Sequence, residues 1–500
     1  MSRSSDWLTS PKETLKAKLF FGNEPNSELI AIITVYFVQG ILGLARLAIS
    51  FFLKDDLALT PAEVAALSGI AALPWVTKPL LGFLSDSLPL FGYRRRPYLI
   101  LSGILGTVSW LALATVVETA WSAIAAILLT SLSVAVSDVI VDSLVVERAR
   151  KESLAQSGSL QSLCWGSSAL GGIITAYLSG WLLEQFSNQT VFAITATFPL
   201  IVCGVAWLIA EEPVPKTSPE KDADTNNKQE LNLGIKPQIK QLWGAISKKA
   251  ILLPTIFIFV WQATPSADSA LFFFTTNELN FQPEFLGRVR LVTSVAALVG
   301  VWLFQRYLKK VPFRVIFGWS TVIASALGMT MLLLVTHTNR TLGIDDHWFS
   351  LGDSLILTVM GQIAFMPVLV LAARLCPKGV EATLFALLMS VNNLGGLLSH
   401  EIGALLTHWL GVTETNFDNL WLLVLLTNLS TLLPLPFLGF LPTGDPQEQA
   451  EKALPMVEIY EHHSLGSQTE ESFLPEILPD FAITGLGKEK DSLNQTEEKI

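Results

Sequence analysis

Charge is what this chain has least of. Asp, Glu, Lys and Arg make up 15% of its 500 residues, against about a quarter in soluble proteins. That scarcity excludes an ordinary soluble domain, because the 51% of hydrophobic residues gather in runs long enough to cross a hydrocarbon layer of about 30 Å. Cysteine is scarce too. Cys164, Cys203 and Cys376 stand apart, without metal-ligand or CxxC spacing, and read as small packing residues. No GxGxxG, P-loop, HExxH or GxSxG stands in a suitable context, so no enzyme, cofactor, metal site or ATP-driven pump is expected. No nucleic-acid partner is expected either.

No cleavable leader is expected either. The first apolar run begins near Glu28 and exceeds an h-region, and the residues before it carry Asp6, Glu13 and Glu24, unlike an acid-poor transit peptide. The net charge of −10 is concentrated at one end: residues 442–500 hold 13 acidic and 4 basic side chains. That tail is poor in aromatics and reads as disordered and solvated.

What is present is a rhythm of twelve apolar segments. They predict an all-α polytopic membrane protein, with 12 transmembrane helices in two six-helix repeats. The expected layout is an N-terminal cytoplasmic segment (1–27), a first bundle (28–210), a cytoplasmic linker (211–249), a second bundle (250–441) and the acidic cytoplasmic tail (442–500). Within the linker, "KQLWGAISKK" has the composition of a short surface helix. Alternate short loops carry Arg94–Arg96, Arg148, Arg150, Lys151, Arg306, Lys309, Lys310, Arg314, Arg374 and Lys378, whereas the other set carries only Lys54 and Arg340. The positive-inside rule then puts both termini in the cytoplasm.

The halves repeat. "FLKDDLALTPAEV" from Phe52 and "FTTNELNFQPEFL" from Phe274 align without a gap, Phe on Phe, Asp56 on Glu278, Leu57 on Leu279 and Pro61 on Pro283. Two parallel repeats about an axis along the membrane normal follow. The same offset sets Arg46 opposite Asp268, a pair expected to close the outer side.

Ionisable groups inside a span cost about 2.5–3.5 kcal/mol each, so they face a cavity or a partner. On the first span Tyr36, Gln39, Gly43, Arg46 and Ser50 form one stripe. It reads as a cavity wall or as a packing seam with one snorkelling arginine. Span 4 sets Asp138 and Asp142 on one face, with Glu147 beyond. Asp142 and Glu147 are expected in an inner gate with Lys78, Asp86, Arg94 and Arg95; Asp138 fits a gate or a ligand site. In span 7, Pro265 interrupts the helix beside Gln262, as a binding-site break or a tolerated kink. Arg288, with Arg290 nearby, is expected to pair with Asp268. Asn392 and Asn393 of span 11 either read a polar ligand or tie helices together, and His400 and Glu401 are proton-carrier candidates of lower weight. Gln161, Trp75 and Trp165 complete the candidate substrate contacts, and Trp261 is a further candidate stacking face.

The stretch "GFLSDSLPLFGYRR" resembles the loop motif of the major facilitator superfamily, with Gly82, Asp86, Gly92, Arg94 and Arg95 in place. It departs from that motif in the inserted "SLPLF" and in Ser87, where a basic residue is expected. The wider set "PWVTKPLLGFLSD", "FLKDDLALTP", "QATPSAD", "FQPEFLG", "RLCPKGVEATLFAL" and "SVNNLGG" resembles the folate–biopterin transporter family over residues 28–440, outside the linker. The resemblance implies a secondary transporter for folates or pterins working by alternating access. Some plant members of the family lie in the plastid envelope, whereas the absent transit peptide here favours a cytoplasmic membrane. Proton coupling and a monomeric state are expected. This reading is compatible with the residues. A pterin edge suits a carboxylate, a glutamate moiety needs Arg or Lys, and a tryptophan can stack on the rings. Lys78 then meets an anionic group or pairs with Asp138. Another amphipathic anion such as a muropeptide, or a sensor whose acidic tail binds a partner, are the alternative readings.

Overall fold

The computed structural model describes residues 25–149, 154–213, 247–308, 311–375 and 381–443. The N-terminal segment up to residue 24, most of the linker with its surface-helix candidate, and the tail beyond 443 lie outside them.

Within the described residues the chain forms twelve helical segments. In the first half these are α1 (Ser27–Asp56), α2 (Pro61–Ser85), α3 (Arg96–Thr115), α4 (Ala120–Ala149), α5 (Leu154–Gln185) and α6 (Asn188–Leu208). In the second half α7 comes in two pieces, Lys249–Gln262 and Asp268–Phe273. It is followed by α8 (Pro283–Leu308), α9 (Phe313–Val335), α10 (Asp346–Arg374), α11 (Glu381–Trp409) and α12 (Leu420–Phe440). Among the described residues, nine of these helices are long and apolar enough to cross a membrane.

Local chemistry starts the helices where the sequence supplies caps. The Asn26 side chain accepts the Leu29 N–H, and Thr60 and Glu63 form a reciprocal capping box ahead of Pro61. The repeat is written into the backbone. α1 ends in a π-helical turn at Phe52–Asp56, and α7 ends in one at Phe274–Glu278, 222 residues later. Each is followed by a left-handed residue, Ala58 at φ 51° and Asn280 at φ 56°. Even the mid-helix defects correspond, since α1 tightens to 3₁₀ at Leu42–Leu44 and α7 breaks around Thr264–Ser266.

Each half packs an apolar cluster toward each end, and the second half adds a small third one of Phe304, Ile316 and Met366. Leu29, Val35, Leu99, Ile140 and Leu160 belong to one end of the first half, and Phe52, Leu67, Leu113, Val191 and Phe192 to the other. Phe257, Phe317, Val368 and Leu384 mirror the first of these, and Phe274, Leu334 and Leu420 the second. Polar side chains therefore meet between the clusters. At the arginine-rich end an arginine ties the third helix of each half to the sixth. Arg96 Nη2 donates to the Ile209 carbonyl at 2.6 Å, and Arg314 Nε donates to the Leu441 carbonyl at 2.8 Å.

At the opposite, arginine-poor end the bundles touch through small residues and rings. Gly180 and Gly287 bring α5 and α8 together so closely that a Cβ on Gly180 would sit 2.3 Å from the Pro283 carbonyl oxygen. Phe51 meets Phe272 edge to face at 5.2 Å, and Lys54 Nζ donates to Asn277 at 2.7 Å. The charge pairs expected there are replaced by these contacts. Arg288 binds Glu284 one turn away at 2.5 Å instead of Asp268, and Asp268 is exposed with no ion pair among the described residues. Arg46 and Asp268 do not pair among the described residues either; each follows the break in its own helix, Leu42–Leu44 in α1 and Thr264–Ser266 in α7.

Candidate functional site

Proline builds the site. Pro79 has no N–H, so the Trp75 carbonyl one turn earlier loses its helical donor. Asn393 Nδ2 of α11 takes that carbonyl at 3.2 Å, reaching across from the other bundle. The break also turns Lys78 toward α4. Its ammonium donates to Asp138, lies 3.7 Å from Asp142, and stands 5.1 Å over the Trp75 ring. The Tyr36 hydroxyl of α1 donates to Asp142. Four side chains from three helices thus form one cluster, with two carboxylates, one ammonium and one phenol.

The cluster is enclosed but not dry. Tyr36 and Asp138 are buried, whereas 48% of the Asp142 side chain and 23% of Lys78 are accessible, although protein surrounds both on most sides. A group both enclosed and accessible lines a cleft. Of the two roles open for Lys78, the structure shows the pair with Asp138. The inner-gate network divides accordingly. Asp142 joins Lys78, while Glu147, more than a helical turn further on, pairs with Arg95 at 2.7 Å, and Arg95 Nη1 also donates to Ser85 at 3.3 Å. Arg94 is exposed. The side chains of Asp86 and Gln161 lie outside the described residues.

The other candidates scatter. Gln39 points into the first bundle beside Ser102, Ser133 and Ser137, away from the bundle interface, with its Nε2 buried and unpartnered among the described residues. The predicted stripe therefore splits at the 3₁₀ turn: Gly43 packs on Thr175, while Arg46 is exposed and Ser50, half-buried, donates to the Arg46 carbonyl at 3.4 Å. Gln262 packs on Gly395 and Gly396 of α11, and Trp261 meets Phe317 inside the second bundle at 5.9 Å. Asn392 is buried with its Oδ1 unpartnered among the described residues, and Trp165 is 63% exposed. The α7 break is clamped by Ser399, whose hydroxyl donates to the Thr264 carbonyl at 2.6 Å while its carbonyl accepts the Ser266 N–H at 3.3 Å. That contact supports a built break rather than a tolerated kink.

Glu211 escaped the sequence reading, and Arg290 entered it only as a neighbour of Arg288. Glu211 accepts the backbone N–H groups of Arg94, Arg95 and Arg96 at 2.5, 2.9 and 3.0 Å, closing the N-terminus of α3. Its only sequence signal was an acid next to the last apolar run. Arg290 is half-buried, with Nη1 unpartnered among the described residues; its position beyond Arg288 on a helix that faces the other bundle was the available signal.

Comparison with known proteins follows the same outline. The BT1 family matches residues 39–456. The chain is 63% identical to a folate-biopterin transporter of Synechocystis sp., over 94% of this chain and 96% of that one. It is 33% identical to the probable folate-biopterin transporter 2 of Arabidopsis thaliana, covering 84% and 83%, and 31% identical to folate transporter 2 of Plasmodium falciparum, covering 84% and 89%. Among solved structures, the nucleoside transporter NupG superposes with a TM-score of 0.59 at 14% identity, over 83% of this chain and 98% of that one. A D-xylose-proton symporter gives 0.60 at 13% identity, covering 84% and 98%. At that identity the likeness is one of fold, the two-bundle fold of the major facilitator superfamily.

Proposed function

The chain belongs to the BT1 family, and from that premise we propose that it carries folates and pterins across a cytoplasmic membrane by alternating access. It is a multi-pass membrane transporter, not an enzyme. The observation that carries the substrate reading is the Lys78, Asp138, Asp142 and Tyr36 cluster on its enclosed cleft. One lysine balances one of two carboxylates, leaving the accessible Asp142 with a surplus charge. A 2-amino-4-oxopteridine presents a ring N–H and an amino group side by side, and a carboxylate accepts both. Trp75, beside the cluster, offers a ring face for stacking.

The same surplus supports proton coupling. A proton taken up by the cluster beside an ionised Asp142 neutralises it, and its release to the arginine-rich side restores the charge before the empty carrier turns. The concentration of arginine and lysine at that end supports a cytoplasmic orientation for it and for both termini. The cleft is complete within one chain, which supports a monomer.

Uptake of labelled folate and biopterin by proteoliposomes, with and without an inward proton gradient, tests the reading. Accumulation of either, enhanced by the gradient, is expected. No accumulation of either substrate rejects the transport reading, and accumulation indifferent to the gradient rejects the coupling.

A further inference from the structure

Two guanidiniums stand at the bundle interface with no acid paired to them among the described residues. Arg46 of α1 is accessible yet largely enclosed by protein, and makes no ion pair there. Arg290 of α8 is half-buried, and its Nη1 is buried with no acceptor among those residues. Their helices flank α5 at neighbouring turns: Gly43, one turn before Arg46, lies against Thr175, and Gly287, one turn before Arg290, lies against Gly180. Most acids at this end are committed elsewhere, and Asp268, exposed and without an ion pair among the described residues, pairs with neither arginine. Asp55 pairs with Lys54 at 2.5 Å, Asp56 accepts from Gln189 at 2.8 Å, and Glu284, the acid of α8, is held by Arg288. Like charges with empty donors inside a membrane are costly unless something anionic arrives.

We propose that Arg46 and Arg290 form an anion clamp, one guanidinium from each bundle, that grips the two carboxylates of a folate's glutamate tail. The inference rests on the folate reading above and adds to it a polarity for the substrate. Arg46 lies ten residues beyond Tyr36, about 15 Å along α1. A folate extended along the cleft therefore presents its pterin to Asp142 and its glutamate to the arginines. Guanidinium forks suit this task because each can meet a carboxylate with two parallel hydrogen bonds. A clamp built from both bundles also tightens only when the two halves approach, so the anion itself favours closure at the arginine-poor end.

Biopterin has no carboxylate, which makes the ratio of folate to biopterin uptake the deciding quantity. In proteoliposomes, Arg46→Gln and Arg290→Gln are each expected to lower that ratio about tenfold or more, the equivalent of one charge-assisted contact. Arg290→Lys keeps the charge and loses the fork, so a smaller drop is expected. An unchanged ratio, or equal loss of both substrates, overturns the clamp. If a glutamine variant fails to insert, Arg46→Lys and Arg290→Lys read the same ratio, and an unchanged value there overturns it equally. Failure of the wild-type protein to move folate strikes the transport reading itself and is seen before any variant is made.

Discussion

In the first half, Tyr36 and Lys78 converge on a pair of aspartates at a broken helix. The positions 222 residues later are Ile258 and Gly300, the first fully buried and the second pressed on Val359 and Gln362. Yet the backbones around them share π-helical turns, left-handed residues and mid-helix breaks at equivalent places. The repeat keeps the breaks and the helix ends in both halves, where packing needs them. The charge was kept once, because each buried ionisable group is costly. The second bundle contributes amides, hydroxyls and small residues instead, with Asn393, Ser399 and Gly403 shaping the interface.

The comparison breaks most severely at Lys78. Lys78→Met makes the first half resemble the second at that position, but strands Asp138 and Asp142. Removing one partner of a buried pair costs about 3–5 kcal/mol, so transport should vanish and the thermal unfolding midpoint in detergent should fall clearly. Adding Asp138→Asn should recover much of the stability and none of the transport. A single variant as stable as wild type would show that the cluster is solvated.

Next in size is the glycine contact that the halves share at the arginine-poor end. Gly180→Val places side-chain atoms on the Pro283 carbonyl and Gly287, and α5 and α8 must separate. Uptake should fall at least about tenfold while stability changes less than in Lys78→Met, because two helices can move apart to relieve a clash whereas a stranded charge has no such relief. A water-soluble thiol reagent should then label a cysteine placed at Ser50 faster than in the unaltered background.

A smaller effect is expected at Asn393→Leu, which removes the amide that the second bundle lends to the Trp75 carbonyl. The lost hydrogen bond is worth about 1 kcal/mol, and a several-fold reduction in uptake is expected at nearly normal folding. Smallest is Ala58→Asn, which copies the residue found at Asn280. Asparagine tolerates the left-handed region better than alanine, so the unfolding midpoint should rise slightly with transport unchanged.

Much of the fold was legible because it depends on one-dimensional quantities. The length of each apolar run sets the spans, and the aligned Phe52 and Phe274 stretches announced the turns that both became π-helical. Proline at 265 marked the break in α7. The candidate site was legible only in part. Lys78, Asp138 and Asn393 were visible as polar residues in apolar helices, but Asp142 was assigned to a gate, and Asp268 with Arg288 to a pair that Glu284 preempts. Helical spacing placed Gln39 and Arg46 on one stripe, and the 3₁₀ turn at Leu42–Leu44 separated them.

By itself the sequence determined a polytopic helical chain, its internal repeat and its family resemblance, because hydropathy, spacing and motifs are properties of the chain alone. Only the tertiary structure decided which charge meets which: Lys78 with Asp138, Glu211 with three backbone N–H groups, Arg46 and Arg290 with no acid among the described residues. Those outcomes depend on the rotation and depth of each helix against its neighbours. Contacts as close as Gly180 on Gly287 fix that rotation, and no spacing within a single helix encodes it.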